Sequence, residues 1–298
     1  MIKSFDELLK KAKKLPSKKV VIPAADTKSS VKAAILAKKQ DIADFLLIGN
    51  KSEIQNLIEN IDANFMNSFE IIDEPDSEKC IQRGIEAIHN NKADLILKGK
   101  TDTSQLMKAV LDKENGLQTG NILSDVFLFE TKERLTLMSD GGIVLYPNIE
   151  EKLGLIKNAV AVAHHLENPK PKVALLCAIE KPNSKMPSTI DADKISKMSK
   201  KWKKIGCIVD GPLALDNAIS KSAAKIKDIK SPVAGDADIL IMPNIEAGNI
   251  FGKALTYYAH LRVAHILIGA KAPILITSRA DDAETKLLSI ALGIICTE

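Results

Sequence analysis

Short apolar runs that stop abruptly at Gly, Pro or polar residues, alternating with amphipathic stretches, confine this chain to a narrow set of folds. The runs are residues 20–23, 45–49, 95–98, 143–146, 173–177, 208–210, 239–242 and 273–277. They are rich in Val, Ile and Leu, as strands buried on both faces are, and such strands belong to parallel sheets covered by crossover helices. Between them Leu106, Met107, Val110 and Leu111 recur at helix spacing, as do Leu153, Ile156, Val160 and Ala163, and later Leu287, Leu288, Ala291 and Ile294. The expected fold class is α/β with mostly parallel sheets. A chain of 298 residues is about twice the commonest domain size, so two α/β domains are expected. The junctions that follow the runs are the places to look for chemistry, because open α/β sheets bind ligands at the carboxyl ends of their strands.

With 45% hydrophobic and 27% charged residues, the composition excludes disorder and collagen-like repeats. No stretch reaches the roughly 18 consecutive apolar residues of a membrane helix, and residues 1–19 lack an apolar signal core, so a cytoplasmic protein without membrane partners is expected. Cys80, Cys177, Cys207 and Cys296 are scattered without a CxxC pair, which points to apolar fillers rather than zinc or disulfides. Six lysines fall within residues 194–204, but the stretch has one aromatic, Trp202, and no Arg. It reads as a solvated helix face, and no nucleic-acid partner is expected. No internal repeat is present, and the best boundary lies at Pro147-Asn148. Arginine is scarce: Arg83, Arg134, Arg262 and Arg279 stand against a lysine-dominated basic set. Each is therefore worth locating, since Arg reads phosphate and carboxylate in a bidentate way that Lys does not.

Gly99-Lys100-Thr101 follows a strand and resembles the tail of a phosphate-binding loop, but the glycine that motif needs at position 94 is Asp94. No GxGxxG occurs either. A helix start near an anion remains open there, with Thr101 and Asp102 as caps. Ser139-Asp140-Gly141-Gly142, expected to precede a strand over 143–146, is either a turn or an active-site edge. After the strand at 239–242 comes Asn244-Ile245-Glu246-Ala247-Gly248-Asn249, whose small residues allow close approach to backbone amides and whose Asn249 is a candidate cap. The five histidines show no metal-ligand spacing, so no metal is expected.

The segment from Ser278 to Thr285 leaves a buried strand and enters an amphipathic helix, with Arg279 beside a hydroxyl and near Asp281, Asp282 and Glu284. Asp281 and Glu284 match a capping box. Capping does not call for Arg279, because a guanidinium at a helix N-terminus opposes the dipole unless an anion lies there too.

Four blocks, LKGKTDTSQLMKAVLDKENGLQTG (97–120), MSDGGIVLYPN (138–148), SPVAGDADILIMPNIEAGNIFGKA (231–254) and PILITSRADDAETKLLSIAL (273–292), run in order through nearly the whole chain. Together they resemble the phosphate acyltransferase family, and its butyryl branch more than its acetyl branch. The resemblance implies reversible transfer of a short-chain acyl group, butyryl or acetyl, between coenzyme A and inorganic phosphate. It implies two α/β domains of the phosphotransacetylase and isocitrate-dehydrogenase-like type with the active site in the cleft between them. The domains would be residues 1–146 plus 269–298, and 147–268. It also implies a homo-oligomer, acyl-CoA and phosphate as substrates, and no cofactor. By motif, Ser278 and Arg279 match the family's Ser-Arg pair, with Asp281, Asp282 or Glu284 near enough to take a proton. Thr285 stands where the acetyl type has its acidic base, and Lys108 where it usually has Arg. Lys100, Thr101, Lys108, Asp140, Asn244, Glu246, Gly248 and Asn249 form the expected substrate-binding set. Two rivals are a non-catalytic acyl-CoA sensor and an acyl-carrier-protein-dependent phosphate acyltransferase.

Overall fold

A computed structural model describes residues 1–277 and 281–297. Its strands are β1 (Lys18–Pro23), β2 (Ala43–Gly49), β3 (Glu70–Asp73), β4 (Leu95–Leu97), β5 (Ser124–Glu130), β6 (Leu135–Ser139), β7 (Lys172–Leu176), β8 (Ile208–Leu213), β9 (Ile239–Ile241), β10 (Val263–Ile268) and β11 (Ile274–Leu275). Its helices are α1 (Phe5–Ala12), α2 (Lys28–Lys39), α3 (Lys51–Asp62), α4 (Ser77–His89), α5 (Thr103–Val110), α6 (Ile149–His165), α7 (Pro187–Ser196), α8 (Ser199–Ile205), α9 (Leu215–Ile219), α10 (Lys221–Ile226), α11 (Ile245–Lys253) and α12 (Ala283–Ile295). The chain divides into two compact units, called here terminal and middle for their place in the sequence. The terminal unit is residues 5–121 and 264–298; the middle unit is residues 1–4 and 122–263.

In the terminal unit the strand order is β3-β2-β1-β4-β11-β10, parallel except where β10 meets β11. Strands β1, β2 and β4 are buried almost throughout, which is why their sequences lack alternation. Helix α12 is apolar on nearly every side and is buried over residues 286–295, packed against α1 and α2. Asn50, Thr27 and Asp76 cap α3, α2 and α4 through their side chains.

In the middle unit the order is β5-β6-β9-β7-β8, with only the β5–β6 hairpin antiparallel. Its core joins Phe127, Phe129, Met138, Leu240 and Met242 with Leu176 and Leu213. Asn148 opens α6 with a reciprocal capping box to Glu151.

Several expectations shift. Residues 143–146 form no strand: Leu145 and Tyr146 are 60% and 69% exposed, so this apolar run is not buried by any sheet. The sheet position belongs to β6, immediately before it, and the SDGG segment therefore follows a strand rather than preceding one. Strands β3, β5, β6 and β10 were not evident from the runs; in β5 and β6 the signal is masked by the charged turn at 131–134, pinned by Thr131, whose hydroxyl accepts the N–H of Glu133 and Arg134. The lysine-rich stretch breaks into α7 and α8, with all six lysines exposed and Trp202 buried, its indole donating to the Ile195 carbonyl. The unit boundaries fall at 121/122 and 263/264 rather than at the expected 146/147 and 268/269, because the β5–β6 hairpin pairs with β9.

Candidate active site

In the terminal unit the carboxyl ends of β1, β4 and β11 bring hydroxyls, lysines and acids to one edge of the sheet. Strands β4 and β11 run parallel with Ile96 opposite Ile274 and Leu97 opposite Leu275. Just past β4, Gly99 lies so close to β1 that a Cβ there would sit 2.2 Å from the Ala24 carbonyl oxygen and 2.3 Å from that of Pro23. Only glycine fits this contact. The Lys100 N–H donates to the Ala24 carbonyl at 2.8 Å, while its exposed ammonium pairs with Asp26 at 3.4 Å. Lys98 is buried, and its ammonium donates to the Thr101 carbonyl at 3.0 Å. Thr101 and Thr277 are buried as well, and among the described residues neither hydroxyl has a hydrogen-bond partner. Such orphans are uncommon in folded proteins.

Ser278 and Arg279 lie outside the described residues. Beyond them Asp282, not Asp281, caps α12: its carboxylate accepts the Thr285 N–H at 2.8 Å, one residue later than the capping-box pattern implied. Glu284 is exposed in the first turn. Lys286 is buried in that turn and its ammonium donates to the Asp281 carbonyl at 3.4 Å. Burial pushes the Lys286 pKa down, partly offset by the charges of Asp281 and Asp282. Asp102 stands at the N-cap of α5 without a side-chain capping bond. Lys108 faces elsewhere: it lines a groove of about 910 Å³ beside α4, together with Glu78, Glu86, Asp112 and Glu114, and neither Lys100 nor Thr101 lines it.

In the middle unit Asp140, Asn244, Glu246, Gly248 and Asn249 come together where β6 and β9 end and α11 begins. The Ser139-Asp140 peptide is cis. Asp140 organises the turn: one carboxylate oxygen accepts the N–H of Gly142 and of Ile143, both at 2.7 Å, and the other accepts the Asp125 N–H at 2.8 Å. Its backbone carbonyl lies against Gly248, and Asn249 donates its side-chain amide to the Gly141 carbonyl at 3.0 Å. Asn249 is thus inside the helix, and Asn244 is the cap, accepting the Ala247 N–H at 3.0 Å. Glu246 points outward and accepts from the Tyr146 hydroxyl.

Burial first, and then the charge of Asp125, lift the Asp140 pKa to about 6, against the opposing pull of its three N–H bonds. The ordinary Asp value is 3.8, so between about pH 4 and 6 the folded protein keeps a proton that the unfolded chain has released. Unfolding releases a proton there, and stability falls as pH rises through that window. Asp125→Asn is expected to lower the Asp140 pKa without restoring the ordinary value, since burial remains, and to shrink the loss of stability. Carboxyl NMR titration together with urea midpoints at about pH 4 and about pH 7 measures both. An Asp140 pKa unmoved in that variant counts against the pairing.

Sequence reasoning missed Lys98, Asp125, Thr277 and Lys286. A signal existed for Lys286, which sits three residues after Ala283 and four before Ile290, on the buried face of α12. Among the described residues no group of His, Cys, Asp or Glu could hold a metal ion.

The sequence matches the family described as Phosphate acetyl/butaryl transferase over residues 4–83 and 79–294. It is 44% identical over 295 residues to a phosphate butyryltransferase of Clostridium acetobutylicum, covering 98% of each chain. It is 41% identical over 280 residues to a phosphate acetyltransferase of Thermotoga maritima, covering 93% of this chain and 95% of that one. Among solved structures, a branched-chain phosphotransacylase from Enterococcus faecalis superposes with a TM-score of 0.84 at 29% identity, covering 94% of this chain and 99% of that one.

Proposed function

The chain belongs to the phosphate acetyl/butyryltransferase family, and from that premise we propose that it is a phosphate acyltransferase interconverting acyl-CoA plus phosphate with acyl phosphate plus CoA. The observation that carries this is the 44% identity with a phosphate butyryltransferase over 98% of each chain.

In this reaction a phosphate oxygen attacks the thioester carbonyl, a C–O bond forms, the C–S bond breaks, and the sulfur leaves as a thiolate that is protonated. Arg279 is assigned to phosphate, which a guanidinium holds with two parallel charge-assisted bonds. Support comes from the other three arginines, each already paired: Arg83 with Glu74, Arg134 with Asp236 and Asp238, and Arg262 with Glu130. Ser278 is assigned to the negative charge that develops on the carbonyl oxygen or sulfur. The proton is carried by the acids that follow, Asp281, Asp282 and Glu284, of which Asp282 also serves the helix start. Lys100 and Thr101 are assigned to substrate binding in the terminal unit, and Asp140, Asn244, Glu246, Gly248 and Asn249 to holding the substrate-facing turn of the middle unit. Lys108 keeps its assignment to substrate binding in this reading, in a groove it shares with Glu78, Glu86, Asp112 and Glu114.

No helix is long and apolar enough to cross a membrane. Free cysteines support a reducing, cytoplasmic setting, and the exposed Leu145, Tyr146, Ile250 and Tyr258 support self-association. No cofactor is required in this scheme, CoA and phosphate being substrates. A coupled assay of phosphate-dependent CoA-thiol release from acetyl-, propionyl- and butyryl-CoA tests the assignment. Release that requires phosphate is expected with at least one of them; acyl-CoA binding without turnover would identify a sensor instead, and turnover only with an acylated carrier protein would identify a carrier-dependent enzyme.

A further inference from the structure

Five large apolar side chains stand exposed in one region of the middle unit: Leu145, Tyr146, Ile250, Tyr257 and Tyr258, the last of them 90% exposed. They belong together in space. The Leu145 carbonyl accepts the Ile245 N–H at 2.9 Å and the Tyr146 hydroxyl donates to Glu246, so the 143–146 run lies along the start of α11. Helix α11 does not end its course at Lys253 but continues as a π-helical turn, Ala254–Tyr258, which carries the two tyrosines. At about 100° per residue, Glu246, Ile250, Lys253 and Tyr257 fall on one stripe, and all four are exposed. Gly248 and Gly252 are buried on the opposite side, where Gly248 meets the Asp140 carbonyl. The helix is therefore seated on one face only. Contiguous apolar surface of this kind is uncommon on a monomer and is what the core of an interface takes up.

We propose that this stripe is a two-fold interface and that its occupant is a second copy of the chain, with the two α11 helices packed antiparallel across the axis. The charges on the stripe select that occupant. Glu246 and Lys253 lie seven residues apart, about 10 Å along the helix, with Ile250 between them. Lys253 has no ion-pair partner among the described residues. Turning a second α11 about an axis at the level of Asn249 and Ile250 sets each Glu246 against the Lys253 of the other copy, with the isoleucines at the centre. A parallel pairing would instead oppose Glu246 to Glu246 and Lys253 to Lys253. The same rotation carries Tyr257 and Tyr258 past the start of the facing helix, to the level of its Leu145 and Tyr146. The exposed parts of the five apolar side chains come to roughly 500 Å², most of the about 800 Å² that a stable interface takes from each partner. The interface rests on the self-association proposed above and not on the acyl-transfer assignment. In the pair, α11 is held from both sides, by Gly248 against the Asp140 turn and by Ile250 against its twin.

Sedimentation velocity of the full chain, over about 0.1–100 µM, is the test. The natural sequence is expected to dimerise. Ile250→Asp is expected to weaken the dimer about a hundredfold, since two carboxylates replace two buried isoleucines at the centre. Lys253→Glu is expected to weaken it about tenfold, because both charge pairs become repulsions. Exchanging the two charges, Glu246→Lys with Lys253→Glu, should return the dimer to within about threefold of the natural one, the swapped groups pairing again across the axis. These positions are exposed in the single chain, so far-UV circular dichroism should show every variant folded. A natural chain that stays monomeric throughout overturns both the self-association and this interface. A dimer indifferent to Ile250→Asp and Lys253→Glu leaves self-association standing and overturns the interface. Failure of the double exchange to restore what Lys253→Glu loses overturns the antiparallel pairing. None of these readings depends on turnover, so loss of the acyl-transfer assignment would leave them unchanged.

Discussion

Replacing Arg279 by glutamine is expected to raise the KM for phosphate by about a hundredfold and to slow turnover, while the KM for acyl-CoA changes by no more than about threefold. The size follows from what is removed. A bidentate guanidinium–phosphate contact comprises two charge-assisted hydrogen bonds of about 1.5–3 kcal/mol each, and glutamine keeps one neutral bond at best, leaving a deficit of about 3 kcal/mol. The other arginines are already engaged, Arg83, Arg134 and Arg262 each being paired with carboxylates. Initial rates with phosphate varied at saturating acyl-CoA measure it, and phosphate kinetics unchanged in the glutamine variant remove Arg279 from the site.

The other large effect concerns Gly248. A Cβ at this position would lie 2.1 Å from the Asp140 carbonyl oxygen and 2.9 Å from the Gly141 Cα. Both atoms are backbone, so no side chain can rotate aside; either α11 withdraws from β6 or the Asp140 turn opens. Both movements break contacts that the site depends on, the Asn249 amide to the Gly141 carbonyl and the three N–H bonds to Asp140. Gly248→Ala is expected to cost about 3 kcal/mol of stability and most of the activity. Gly252, one turn further along the same helix, is the control: its nearest Cβ contact is the flexible Met138 side chain at 3.5 Å, so Gly252→Ala should be tolerated and can gain slightly from helix propensity. Urea midpoints of the two variants decide the matter. Equal stability would mean that the close approach of α11 to β6 carries no energetic weight.

Much of the fold was legible because the two periodicities are strong here. Strands β1, β2, β4 and β7 are apolar on both faces and stand out as runs, and α6 and α12 repeat their apolar residues over three turns or more. Legibility failed where apolar character and burial part company. Residues 143–146 look like a strand and stay outside the sheet, whereas β3, with no fully buried residue, lacks a run to see. For the candidate site, the junction rule led to loops that do lie at strand ends in the structure, yet within them it could not tell which polar residue caps the helix that follows. Asn244 and Asn249 exchanged expected roles because a one-turn difference in where α11 begins is invisible in a stretch of small polar residues. Asp125 was out of reach for another reason: its pairing with Asp140 arises only when the β5–β6 hairpin closes, fifteen residues apart in sequence.

The terminal unit is completed by residues made after the whole of the middle unit. Strand β11 inserts between β4, made long before it, and β10, while α12 covers a sheet whose other helices are made from residues 5–110. Until residues 264–298 emerge, β4 presents an unpaired apolar edge, the kind of surface on which nascent chains stick to one another. The middle unit, apart from residues 1–4, is continuous and meets no such delay. Synthesis therefore imposes an order on this architecture, and the Asp281–Lys286 turn arrives with the closing strand. A chain that stalls or is clipped before α12 is left with the β4 edge open and the sheet uncovered on one face, so incomplete copies are the ones most exposed to aggregation.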